Sequence, residues 1–194
     1  MDRREAIKTA AIQLFAEKGY HATSTHEVAL RAEVSEGTVF YHFQTKEGIL
    51  AAIFHEMMDS YLEDLRGVME QAPTGMAALE NYLTEHFRLL EQRPAENRVL
   101  VRDLPSSITL GESPHNDGFR GRLEELNQLL RAAVVRGQAD GSVNSHLEPE
   151  ETIFLLRGLV AGVTKVKLLG LSQTPDMSEA VVRFCRRALQ GETS

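Results

Sequence analysis

Apolar residues return every three or four positions along most of the chain, and this spacing predicts an all-α protein of about nine helices. In residues 3 to 18, RREAIKTAAIQLFAEK, the side chains of Ile7, Ala10, Ala11, Leu14 and Phe15 share one face, and Gly19 supplies a stop. Two short helices follow. Ser24 can cap the first, with Glu27 three residues on to complete a capping box, and a stop falls at about Arg31 or Ala32. Ser35 can cap the second, in which Val39, Phe40 and Phe43 recur at helical spacing. Thr45 is a third capping candidate, placed before a long helix over 46–72 with Ile49, Leu50, Ile53, Met57, Tyr61, Leu65 and Val68 on one face. Breaks at Pro73 and Pro94 set off helices over 74–92 and 95–104. A loop rich in Pro, Ser and Gly, LPSSITLGESPHNDG, precedes a helix over 119–138 and then a turn region, GQADGSVNSHLEPE. Helices over 151–170 and 177–190 close the chain.

The two short helices at 24–31 and 35–43 cannot bury a core of their own, so they must lean on the 3–18 helix and leave a face to solvent. A helix-turn-helix has that shape: small Ala29 lets the helices touch, the turn falls at Glu33, and Val39 closes the angle. The stretch GYHATSTHEVALRAEVSEGTVFYHFQTKEGIL resembles, in order and without gaps, the DNA-binding head of the tetracycline-repressor (TetR) family. The resemblance implies an N-terminal three-helix DNA-binding head, residues 1–47, on a larger helical effector-binding and dimerisation body, residues 48–194. It implies a homodimeric, sequence-specific transcriptional regulator, released by ligand from a pseudo-palindromic operator on double-stranded DNA. A DNA-binding architectural or partner-binding protein without a small-molecule effector is the alternative.

In a helix-turn-helix the start of the second helix enters the major groove. This makes Glu36, Gly37 and Thr38 the expected base-edge residues, with Ser35 at the helix start counted among the DNA contacts. Glu36 can accept from a cytosine amine, or it is a solvated first-turn acid favoured by the helix dipole; Gly37 allows close approach, and Thr38 offers a hydroxyl and a methyl. By the resemblance, Thr25 and His26 touch phosphate or a base, and Tyr41, His42 and Lys46 hold phosphates. Two departures from the family pattern stand out. Glu33 occupies the turn position where the family usually has glycine, which costs roughly 1–2 kcal/mol if the backbone is left-handed there. Phe40 replaces a phosphate-binding tyrosine and is assigned to the core.

The helix over 151–170 is apolar over more than half its circumference and the one over 177–190 adds a single apolar stripe, so cover from a second copy is expected in a four-helix interface. Ile153, Leu156, Gly158, Leu159, Gly162, Val163 and Val166 on one helix, and Val181, Phe184, Cys185 and Ala188 on the other, are the candidate dimer residues. Candidates for an effector site are Phe54, Met57, Met58, Tyr61, Tyr82, His86, Phe87 and Arg102; such residues on helical stripes are more often plain core. His86 and Arg102 are the more telling, because an inward polar group needs a partner that a ligand can supply. A small, mostly apolar effector with one polar or acidic end fits the set.

Charge opposes the DNA-binding reading at first sight, since the net charge is −7. The imbalance is uneven: residues 1 to 50 hold six Lys/Arg against seven Asp/Glu, so the rest of the chain carries −6. A nearly neutral head can still bind a duplex through amides at helix starts, hydroxyls and a few placed cations, and then depends on two copies binding at once. No apolar run reaches the ~18 residues of a membrane span, and no secretory signal is visible. The single cysteine, Cys185, cannot form an internal disulfide, and a cytoplasmic location is expected. No enzyme is expected, because no Gly-rich phosphate loop, nucleophile elbow or paired metal-ligand histidines occur. No cofactor or metal is expected either.

Overall fold

The computed structural model describes residues 2–103, 116–171 and 177–190. Among the described residues lie nine helices and no strand: α1 (Arg3–Lys18), α2 (Thr25–Arg31), α3 (Glu36–Phe43), α4 (Lys46–Glu70), α5 (Gly75–Gln92), α6 (Pro94–Asp103), α7 (Asn116–Asp140), α8 (Pro149–Leu168) and α9 (Ser178–Leu189). The expected loop over 104–118 lies outside the described residues up to position 115, and its last three residues form the first turn of α7. The chain divides into two compact units, Met1–Asp59 with Arg93–Gly121 and Ser60–Gln92 with Arg122–Ser194.

The first unit is built on α1. The Asp2 carboxylate caps its start by accepting from the Arg4 amide, and at its end the Gly19 amide donates to the Phe15 carbonyl with φ at +95°. Its apolar face delivers Ile7, Ala11 and Phe15 into a core that also takes in Val28, Val39, Phe43, Ile49 and Leu50. Each large side chain so buried contributes about 1.5–3 kcal/mol. α6 joins the same core through the fully buried Val99, and the Arg102 guanidinium donates to the Phe15 carbonyl at the end of α1, where helix carbonyls lack internal partners. Lys8 is buried on the otherwise apolar face of α1. It is ion-paired with Glu5 and with Glu56 of α4, and Glu56 also accepts from Arg4 at 2.7 Å.

The joint between α3 and α4 is a tight backbone passage. Gln44 has φ +61° and ψ −44°, and the Thr45 amide donates to the Phe43 carbonyl at 2.6 Å, a three-residue turn. The Thr45 hydroxyl then caps α4 by accepting from the Gly48 amide at 2.9 Å, as the sequence predicts. A Cβ on Gly48 would lie 2.2 Å from the Phe43 carbonyl oxygen, so only glycine lets α4 start this close to the end of α3.

The second unit packs Leu65, Leu79, Tyr82, Leu83, Leu130 and Val134 at its centre, with Ile153, Leu156 and Val160 from α8 and Val181, Cys185 and Leu189 from α9. The sequence treats Gly137 as the start of a turn region; instead it lies inside α7, which runs on to Asp140 and stops at Gly141 with φ +78°. Gly137 is a packing residue. A Cβ on it would meet Val143 at 2.4 Å, and one on Gly75 would meet the Gly137 amide nitrogen at 2.1 Å. Where α5 starts, Asp140 Oδ2 accepts from the Gly75 amide at 2.8 Å and Ser142 Oγ from the Met76 amide at 3.0 Å.

Gly48→Ala should therefore cost about 1–3 kcal/mol, because the obstacle is a backbone carbonyl rather than a movable side chain. A urea titration followed by circular dichroism measures this as a lowered midpoint with an unchanged slope.

Candidate nucleic-acid interface

The candidate face is assembled from two helix starts and one turn. The Ser24 hydroxyl accepts from the Glu27 amide at 3.2 Å, while Glu27 accepts from the Ser24 amide at 2.9 Å: the capping box that the sequence predicts for α2. Lys18 also binds Glu27, and this ion pair, with the Ser24 amide, holds the Glu27 carboxyl down to about 2. On the same flank Arg31 pairs with Glu17 at 2.7 Å and lowers its carboxyl. Ser35 caps α3 by accepting from the Thr38 amide at 3.1 Å. The turn between the helices passes through Glu33 at φ +55°, so a glutamate does occupy the left-handed position.

On the outward side, His26 Nδ1 lies 2.6 Å from Glu36 Oε1, and both side chains are more than half exposed. Ser35 Oγ and Thr38 Oγ1 are 2.8 Å apart, so the Thr38 hydroxyl is held by the cap of its own helix. Thr25, Glu36 and Gly37 border a hollow of about 330 Å³ that also touches Phe40, Gln44 and Thr45. The core assignment of Phe40 is wrong: the ring is 68% exposed. In a helix of two turns Val39 and Phe43, four residues apart, take the inward face, which turns Phe40 outward, four residues from Glu36. Tyr41 is exposed and His42 half-buried, their rings in edge contact. Lys46 is more committed than the sequence indicates. Its ammonium donates to the carbonyls of Tyr20 and Thr23 at 2.8 and 2.7 Å and stands over the Tyr20 ring, and burial lowers its pKa.

The effector candidates do not fall in one unit. Phe54, Met57, Met58 and Arg102 belong to the first, where Phe54 packs on Phe119 with ring centroids 4.8 Å apart and Arg102 is bound to a carbonyl. Tyr61, Tyr82, His86 and Phe87 belong to the second. There Tyr61 Oη lies 2.9 Å from His86 Nδ1, and His86 Nε2 lies 2.8 Å from Thr164 Oγ1. Burial pushes the Tyr82 hydroxyl up to about 12 and His86 down to about 4, so the imidazole is neutral, one nitrogen donating and the other accepting. Thr164 and Arg157, whose charge is felt by both tyrosines, escape the sequence reading; the available signal was polar residues inside an apolar helix.

The dimer candidates also divide. Ile153, Leu156, Val181 and Cys185 are covered by the core of their own unit and have no surface to give a partner, while Leu159 and Val163 are half-buried against that core. Cys185 shares this burial, which pushes its thiol up to about 11. An exposed stripe remains one helical step round: Gly158, Gly162 and Val166 on α8 with Phe154 and Leu155, which are not among the dimer candidates, and Phe184 and Ala188 on α9. Around Gly158 and Gly162 an added Cβ would meet nothing within 4 Å.

Residues 7–53 match the family model described as bacterial regulatory proteins, tetR family. The fatty acid metabolism regulator protein of Bacillus subtilis is 29% identical over 135 residues, 68% of each chain. The transcriptional repressor KstR2 of Mycolicibacterium smegmatis is 24% identical over 146 residues, 75% of this chain and 70% of that one. Among solved structures, the regulator FadR of Bacillus subtilis in complex with stearoyl-CoA superposes with a TM-score of 0.82 at 20% identity, over 96% of this chain and 99% of that one, a likeness of fold. The capped helix-turn-helix over residues 7–53 is thus a TetR-family DNA-binding head, and the chain is a DNA-binding transcriptional regulator similar to the members of that family. Among the described residues, no helix is long and apolar enough to cross a membrane.

Two outcomes follow from the strained turn and the buried imidazole. Glu33→Gly should stabilise the protein by about 0.5–1 kcal/mol, the left-handed penalty removed less the added freedom of the unfolded chain, read as a higher thermal midpoint. His86, ordinarily near 6.5 and held near 4 in the fold, contributes stability that is complete above pH 6.5 and disappears as pH falls towards 4. Its full loss is worth up to about 3 kcal/mol. Urea titrations between pH 7 and 4 should show that part of the decline vanish in His86→Gln.

Proposed function

We propose that this regulator is a cytoplasmic homodimeric repressor, released from a pseudo-palindromic operator by a small amphipathic effector, and that it catalyses no reaction itself. Operator recognition is assigned to residues 1–47, and effector binding with dimerisation to 48–194. The observation that carries the reading is the outward face of α3. Glu36, Gly37 and Thr38 stand at the solvent-facing start of a helix whose opposite side is locked into the core by Val39 and Phe43. Ser35, Thr25 and His26 flank them, and Tyr41, His42 and the remaining N–H of Lys46 are the proposed phosphate donors. The exposed stripe on α8 and α9 supports pairing with a second copy, because an apolar surface of this kind, with Phe184 63% exposed, is rarely left bare.

The relatives support the effector class. One is a regulator of fatty acid metabolism, and a structural neighbour holds stearoyl-CoA, a molecule with a long apolar body and a charged end. The effector of this protein is therefore proposed to be an acyl thioester or a molecule of similar polarity, received by the unit that holds Tyr61, Tyr82 and His86. α4 carries residues of both units, Lys46–Asp59 in one and from Ser60 in the other, and is the proposed route from effector to reading head. An effector that prefers the released form ~100-fold weakens operator binding by at most ~2.7 kcal/mol.

Selection of bound sites from random duplex DNA with the full-length protein is the test. It should yield a two-fold motif with half-sites about one helical turn apart (~34 Å). Thr38→Ala should relax one base pair per half-site by ~1–3 kcal/mol, stearoyl-CoA should lower affinity, and Phe184→Glu should give monomers by sedimentation and abolish tight binding. Selection without any sequence preference, or an obligate monomer, refutes the reading.

A further inference from the structure

The two outward side chains of the α3 start each have a partner that fixes them. For Thr38 it is Ser35, the cap of the same helix. For Glu36 it is His26, which comes from a different helix. His26 is the second residue of α2, in a turn pinned by the Ser24 and Glu27 capping box, and Glu36 is the first residue of α3, directly after its cap. Their 2.6 Å contact therefore joins two fixed helix starts rather than two loose surface side chains. A carboxylate only accepts, so His26 Nδ1 must carry the proton, and the bond occupies Oε1 alone.

Resting on the assignment of α3 to the major groove, we propose that His26 is the positioning residue for the carboxylate of Glu36. It holds Oε1 so that Oε2 accepts the N4 amine of one cytosine in each half-site, and cytosine preference at that base pair is set by the two residues jointly. A glutamate has three rotatable bonds and, in a groove, phosphates on both sides that repel it. Without a donor on the protein side it swings out to water, and its acceptor no longer selects a base. With the donor in place, the acid that looks least suited to a DNA surface becomes a directed acceptor for the one base that offers only an amine in the major groove.

The test is selection from random duplexes followed by affinity measurements on the preferred site and on its single-base variants, with full-length wild type, Glu36→Ala, His26→Ala, the double variant and His26→Asn, whose amide can replace the Nδ1 donor. Glu36→Ala should reduce the cytosine preference at one position by roughly tenfold, within the range of a good base contact. His26→Ala should reduce preference at that same position by roughly threefold or more while leaving other positions intact, and should have no further effect in the Glu36→Ala background. His26→Asn should restore most of it. The proposal is overturned if His26→Ala weakens all sequences equally, which marks a phosphate contact only, or if it shifts a different base pair from Glu36→Ala. If Glu36→Ala leaves every preference unchanged while Thr38→Ala alters one, His26 positions nothing although α3 still reads the groove. If neither alters any, the groove assignment itself fails, and this proposal with it.

Discussion

Helices of seven and eight residues are too short to persist in water by themselves, so the outward face of α2 and α3 exists only because α1 offers it an apolar seat. Ile7, Ala11 and Phe15 provide that seat, and Val28, Val39 and Phe43 occupy it. Everything on the outward side follows from this inward commitment. With Val39 and Phe43 turned in, the start of α3 must face solvent, and Phe40 with it. The caps then set the direction of each helix to within a side chain, and the Gly48 passage sets where the long helix can begin.

Each unit holds a buried polar side chain that is brought in with its partners, Lys8 in one and His86 in the other. Lys8 lies on the apolar face of α1 but meets Glu5 and Glu56. His86 has a hydroxyl at each ring nitrogen, from Tyr61 and Thr164, and so ties α4, α5 and α8 within one unit. A neutral imidazole with both nitrogens engaged specifies an arrangement more sharply than an apolar residue of the same size, because a shifted helix leaves a buried polar atom unsatisfied. This is the kind of element whose equilibrium a bound effector can bias.

Much of this was legible in the residues. Capping signals at Ser24, Ser35 and Thr45, with period-3.6 apolar faces, predict the helices of the head almost to the residue, and Glu33 announced its own strain. What was not legible has physical reasons. Periodicity says that a face is apolar but not which neighbour covers it, so the sequence points Ile153, Leu156, Val181 and Cys185 at a partner although their own unit buries them, and the same ambiguity places Phe40 inside. Gln44 carries no signal for a positive φ, because the strain is imposed by the α3–α4 joint and not by its side chain. Gly48, Gly75 and Gly137 carry no sequence signal of their role, and only the fold shows that each gives room to another backbone or side chain. Of the DNA candidates, Thr25, Glu36 and Gly37 border one hollow, with His26 against Glu36 and Ser35 against Thr38, whereas the effector candidates divide between two units, since a stripe on a long helix does not reveal where one packing unit gives way to the next.

One feature of the head changes how it would meet DNA. Of the six cations among its first fifty residues, five are engaged within the fold: Arg4 and Lys8 with Glu56, Lys18 with Glu27, Arg31 with Glu17, and Lys46 with two carbonyls. Little unbalanced positive field therefore extends into solution to draw a polyanion from a distance. Capture must rely on short-range fit after diffusional collision, and a protein of this kind spends little time sliding on unrelated sequence before it reaches its site.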